Sequence, residues 1–104
     1  MINEDDLKLD EIDRMIHEPA RLSIMIHLSI LLKADFTYLL YRTKLSRGNL
    51  SIQLQKLENA GYIEIEKEFV KRVPRTMVSL SEKGEKALKK YRKYLKEVLS
   101  LERT

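Results

Sequence analysis

The segment from Ser46 to Gly61 constrains this chain most. A hydroxyl able to cap an amide stands at its head and a glycine at its foot. Between them Leu50, Leu54 and Leu57 recur at intervals of four and three, the spacing that puts apolar side chains on one stripe of an α-helix. The sequence therefore predicts a helix from Arg47 to Ala60, capped by Ser46 and closed by Gly61 in the left-handed conformation. Upstream, Asp35 is a good cap for a short helix from Phe36 to about Thr43, which leaves only Lys44, Leu45 and Ser46 as the connection. Downstream, from Tyr62, the period drops to two. Ile63, Ile65 and Phe69 alternate with Glu64, Glu66 and Glu68, and a second run carries Thr76, Val78 and Leu80. Two such strands around Val70 to Pro74 predict an antiparallel hairpin.

Two helices joined by a tight turn form a helix-turn-helix, and the hairpin after it makes a wing. The flanks complete the picture. Leu9, Ile12 and Ile16 predict a first amphipathic helix over Asp10 to His17. Glu18-Pro19 ends it, and Pro19 opens a central core helix from about Ala20 to Lys33. Ser81 caps a last helix with an apolar stripe of Leu88, Tyr91, Leu95, Val98 and Leu99, while lysines crowd its other faces. That stripe, at coiled-coil-like spacing, suits a partner helix. The expected fold is mostly α with a small β-hairpin (α+β), a winged helix-turn-helix with additional N- and C-terminal helices. At 104 residues it is a single domain. Its parts are an acidic leader at 1–18, the helix-turn-helix at 35–61, the wing at 62–81 and a dimerisation helix at 82–101.

Charge narrows the partner. Residues 1–18 set Lys8 and Arg14 against Glu4, Asp5, Asp6, Asp10, Glu11, Asp13 and Glu18, a net of −5, which leaves +9 for the remainder of a chain whose total is +4. A basic body suits a polyanion, because neutralising phosphates releases condensed counterions. Cysteine is absent, which excludes disulfides, thiolate nucleophiles and Cys-ligated zinc, and neither a metal nor a cofactor is expected. His17 and His27 with scattered serines make no catalytic constellation: His17 reads as a cap or dipole partner and His27 as a packed or boundary histidine of the core helix. No apolar run approaches membrane-spanning length and no basic, apolar leader opens the chain, so the expectation is a soluble, cytoplasmic protein that is not an enzyme.

The polar face of the Ser46–Ala60 helix carries Arg47, Asn49, Ser51, Gln55 and Lys56, with Gln53 on its edge. A helix about 10 to 12 Å across fits the major groove of B-DNA, and these side chains match the edges it would meet. Arg47 can pair with guanine, Asn49 or Gln53 with adenine, and Ile52 can rest on a thymine methyl. Ser46 and the free amides of the first turn favour a phosphate, as does Lys56. A merely solvated face would not explain why Glu58, near the far end, is the helix's only acid in a chain rich in glutamate. On the hairpin, Lys71, Arg72 and Arg75 would reach the adjacent minor groove or its phosphates. The rival reading is the same module used for protein or RNA interaction without specific DNA readout.

Several runs together resemble a known family. They are Ile16 to Leu22 (IHEPARL), Asp35-Phe36, Leu45 to Ser51 (LSRGNLS), Leu57 to Ile63 (LENAGYI), Pro74-Arg75-Thr76 and Leu80 to Gly84 (LSEKG). In that combination the chain resembles the small archaeal and bacterial winged helix regulators related to the MarR and ArsR groups. The resemblance implies a homodimer built from the terminal helices, with Leu9, Ile12, Ile16, Leu88, Tyr91, Leu95, Val98 and Leu99 in its interface. It also implies sequence-specific binding to a pseudo-palindromic operator. It assigns Ser46, Arg47, Asn49, Ser51, Ile52 and Gln53 to the recognition surface and Lys71, Arg72 and Arg75 to the wing. The metal-sensing members' ligands are missing here, which argues against metal sensing.

Overall fold

The computed structural model describes residues 12–100. Within them the chain runs α1 (Pro19–Ile30), β1 (Ala34–Asp35), α2 (Phe36–Thr43), α3 (Arg47–Asn59), β2 (Ile63–Val70), β3 (Val73–Leu80) and α4 (Glu82–Leu99). Each helix start is chemically marked. Glu18 accepts the amides of Ala20 and Arg21 with Pro19 at the first helical position, Asp35 accepts from Tyr38, Ser46 from Asn49 and Ser81 from Gly84. These are the donors that a helix N-terminus otherwise leaves unpaired. The far end of α3 is a Schellman motif: Gly61, at φ +80, donates to the Glu58 carbonyl and Tyr62 donates to that of Leu57.

The strands form an antiparallel sheet in the order β1-β3-β2, with Ile65 opposite Val78 and Val70 opposite Val73. That register leaves Lys71 and Arg72 as a two-residue turn, both at positive φ (50° and 67°). This is the type I′ geometry, whose twist matches that of the flanking strands. One core unites the elements: Ile24, Met25 and Leu28 of α1, Leu39 of α2, Leu50, Leu54 and Leu57 of α3, Ile63 and Val78 of the sheet, and Leu88 and Tyr91 of α4 are all buried. Burying each such aliphatic side chain is worth about 1.5–3 kcal/mol. α4 enters the core where Gly84 lies against the backbone of Tyr62; a Cβ there would come within 2.0 Å of the Tyr62 carbonyl oxygen.

Two expectations need correction. The helix over Asp10 to His17 is not formed across residues 12–18, which make turns and bends. The Asp13 carboxylate accepts the amides of Met15 and Ile16, and the His17 amide bonds to the Asp13 carbonyl, so one turn closes locally and does not propagate. Asp10 and Glu11 lie outside the described residues. Second, α1 ends at Ile30 rather than Lys33. Leu31 is already extended, Leu32 is 93% exposed, and Ala34-Asp35 pairs with Val78 and Met77 as a third strand. The hairpin is therefore part of a three-stranded sheet. Of the residues expected in a dimer interface, Ile16, Leu88 and Tyr91 are buried in the chain's own core. Ile12, Leu95 and Val98 are half-buried, Leu99 is exposed, and Leu9 lies outside the described residues.

Candidate nucleic-acid interface

The core stripe of Leu50, Leu54 and Leu57 turns the opposite face of α3 outward. Ser46, Arg47, Asn49, Ser51, Gln55 and Lys56 are exposed there, and Ile52, 53% exposed, stands among them. At the start of the helix the Arg47 guanidinium lies 5.7 Å from the centroid of the Phe36 ring, an attraction that steers the side chain while leaving its donors free. Nothing lies within 4 Å of where a Cβ at Gly48 would be. Packing within the chain does not require glycine at that position.

Gln53 departs from the expected arrangement. Its amide oxygen accepts from Arg21 Nη1 at 2.7 Å and its Nε2 donates to Asn49 Oδ1 at 3.0 Å, so it is fixed by the domain, half-buried, at the edge of the face. Arg21 was not among the residues expected to matter. Its signal in the sequence is a lone arginine in the first turn of a core helix that has no other Lys, Arg, Asp or Glu. Its Nε donates to the Met15 carbonyl at 2.7 Å and its side chain is only 13% exposed. Glu18 beside it is pulled two ways: burial works to raise its pKa, but the Arg21 and Ala20 amides, together with the Arg21 and Lys56 charges, leave it below the ordinary carboxylate value.

Lys71 and Arg72 project at the tip of the wing, both exposed. Arg75 sits lower: its Nη1 bonds the Asp35 carboxylate at 2.7 Å, tying the wing to the start of α2. Lys33 and Glu68 make a second tie across the sheet. Between the wing base and the starts of α2 and α3 lies a cleft of about 470 Å³, lined by residues that include Thr37, Arg47, Arg75 and Thr76. Phe69, 74% exposed, and its neighbours Val70 and Val73 form an exposed apolar patch near the wing tip.

Away from this face, residues 13–17 are pinned to the body by two polar contacts. Tyr62 donates its hydroxyl proton to Asp13 Oδ2 at 2.5 Å, and His17 Nδ1 shares a 2.8 Å hydrogen bond with the Tyr91 hydroxyl. Burial, then the hydrogen bond and charge of Asp13, push the Tyr62 phenol up to about 12. His17 is thus a partner of α4 rather than a cap; Glu18 caps. His27, half-buried, donates Nδ1–H to the Ser23 carbonyl within its own helix. Among the described residues, no group of three or more His, Asp and Glu side chains could hold a metal ion, and no helix is long and apolar enough to cross a membrane.

Residues 20–99 match the model of the winged helix DNA-binding domain family. The chain belongs to that family. A relative in Methanocaldococcus jannaschii, an uncharacterised protein, is 32% identical over 78 residues, which is 75% of this chain and 85% of the other. A transcriptional regulator homologue from Pyrococcus horikoshii shares the winged helix with a TM-score of 0.84 and 31% identity, over 92% of this chain and 95% of that one. The transcriptional repressor CouR, solved bound to a 23-mer DNA duplex, shows the fold alone: TM-score 0.71 and 21% identity, over 88% of this winged helix chain and 63% of CouR.

Proposed function

We propose that the chain is a transcriptional regulator, a repressor, that reads duplex DNA as a homodimer with α3 in the major groove and the wing at the adjacent minor groove or backbone. The observation that carries this reading is the outward face of α3. Arg47, Asn49, Ser51, Ile52 and Lys56 project from one side of a helix in a winged helix DNA-binding domain, with Glu58 as the helix's only acid. Arg47 and Asn49 face base edges, Ile52 a thymine methyl, and Ser46 and Lys56 phosphates. Lys71 and Arg72 extend the contact from the wing tip, and Arg75, paired with Asp35, braces the wing and serves as a weaker contact. The similarity to the Pyrococcus horikoshii protein supports the regulatory role.

The dimer is supported by an apolar groove of about 640 Å³ between α1 and α4. Leu22, Ile26, Leu95 and Leu99 form its walls, Leu88 and Tyr91 its floor, and Arg92 and Lys96 its rim. A partner helix laid into this groove would bury the end of the α4 stripe that the chain's own core leaves open. One α3 and one wing make a small footprint, and pairing doubles it.

Selection of bound duplexes from a random pool by the purified protein tests the whole reading. The expected product is a pseudo-palindrome with half-sites about 34 Å apart, one helical turn, bound with an affinity that falls steeply with salt. A protein that enriches no sequence, and binds DNA no better at low salt, is not this regulator.

A further inference from the structure

Arg21 begins a polar chain whose direction is fixed by chemistry. A guanidinium has only donors, so the Gln53 atom facing Arg21 Nη1 at 2.7 Å is the amide oxygen. With that oxygen turned inward, Gln53 directs Nε2 back along α3 to Asn49, one turn earlier, and the atom receiving it at 3.0 Å is Oδ1. No hydrogen bond within the described residues engages the two Nδ2 hydrogens of Asn49 or the second Nε2 hydrogen of Gln53. Arg21 is itself held, by the Met15 carbonyl at 2.7 Å and the Arg14 carbonyl at 3.4 Å, with a Glu18 carboxylate oxygen 3.7 Å from Nη1. It stands behind the reading face, on α1.

We propose that Arg21 is a positioning residue that sets the base preference of α3. Acting through Gln53, it makes the two amides present donors to the groove, which selects guanine over the adenine that an unconstrained Asn or Gln ordinarily pairs with. The inference rests on the reading of α3 as the major-groove helix. Guanine offers two acceptors on that edge, O6 and N7; adenine keeps N7 but puts an amino donor where guanine has O6. A free Asn amide suits adenine because it supplies one donor and one acceptor. Here one side of the Asn49 oxygen is already occupied, and its orientation is set by a charge that cannot turn over.

The test uses the full chain, competing the selected duplex against versions with each G·C exchanged for A·T. Wild type is expected to prefer guanine about ten-fold at one position per protomer. Arg21→Met keeps bulk but releases Gln53; the preference at that position should collapse to near parity or pass to adenine, with other positions and the salt slope unchanged. Gln53→Glu keeps the bond to Arg21 but offers only acceptors, so Asn49 must turn Nδ2 inward and Oδ1 outward. Its preference should move to adenine or cytosine, and this variant decides alone if Arg21→Met does not fold. Retention of the wild-type preference in the folded variants overturns the relay, as does an even loss of affinity across all duplexes or a wild type that prefers adenine there. A wild type with no base preference at any position overturns the major-groove reading of α3, and the relay with it.

Discussion

The wing tip sets stability against binding. Lys71 and Arg72 occupy a type I′ turn at φ 50° and 67°, a conformation that costs an L-residue roughly 1–2 kcal/mol and for which Asn-Gly is the preferred pair. Replacing them together, Lys71→Asn with Arg72→Gly, relieves most of that strain. The glycine returns about 0.5–1 kcal/mol to the unfolded chain as entropy, so the net gain is about 1–2 kcal/mol. β3 is the central strand, and the Arg75–Asp35 and Lys33–Glu68 pairs tie the wing to the body, so the gain should appear in global unfolding. For a domain of this size each kcal/mol raises Tm by about 4–8 °C. The same change removes two cations from the proposed phosphate contacts, so the slope of log K against log salt should become shallower by up to about 0.9 for each. Thermal unfolding by circular dichroism and binding to random duplex at several salt concentrations read the two effects. A Lys71→Gln, Arg72→Gln control removes charge without relieving strain and should alter the slope alone. If the Asn-Gly variant melts no higher than wild type, the strain argument is wrong; if its salt slope is unchanged, the wing tip does not touch phosphate.

Three further outcomes follow from particular contacts. Gly84→Ala drives a methyl into the Tyr62 carbonyl oxygen, 2.0 Å from the built Cβ, and should destabilise by about 1–3 kcal/mol or more in denaturant unfolding, since both sides of that contact are backbone. Gly48→Ala meets open space and should stabilise the free protein by up to about 1 kcal/mol; weaker duplex binding by the same variant would show that DNA backbone approaches Gly48, and unchanged binding would show that it does not. The Tyr62 phenol, raised from 10.0 to about 12, has a folded-state pKa above its unfolded one. Its contribution to stability is therefore fully present below pH 10 and lost as pH climbs through 12. In an ultraviolet titration of phenolate, Asp13→Asn should bring Tyr62 part of the way back toward 10, because burial, the largest cause, remains; a titration curve identical to wild type would disprove the Asp13 contribution.

Local chemistry carried the middle of this chain. The caps at Asp35, Ser46 and Ser81 and the glycine at position 61 specify their elements with residues that touch only near neighbours, so α2, α3 and the start of α4 fall where the pattern puts them. The outward face of α3 follows from the leucine stripe alone. Legibility failed where a distant partner decides. Leu31 and Leu32 continue an apolar run, yet the chain leaves the helix there because β3 offers Val78 and Met77 to pair with Ala34 and Asp35. Residues 12–18 have helical spacing, but Ile16 points into the core and Asp13 and His17 are held by Tyr62 and Tyr91, contacts between residues far apart in sequence.

The proposed site divides the same way. Sequence by itself determined that α3 would present Arg47, Asn49, Ser51, Ile52 and Lys56 outward, because helical periodicity fixes which residues share a face. Tertiary structure decided what those groups are free to do. Packing α1 against α3 delivers Arg21 to Gln53, and packing β1 and α2 beside the wing delivers Asp35 to Arg75. A hydrogen bond consumes a donor or an acceptor, and which ones remain for a partner depends on neighbours that only folding brings together.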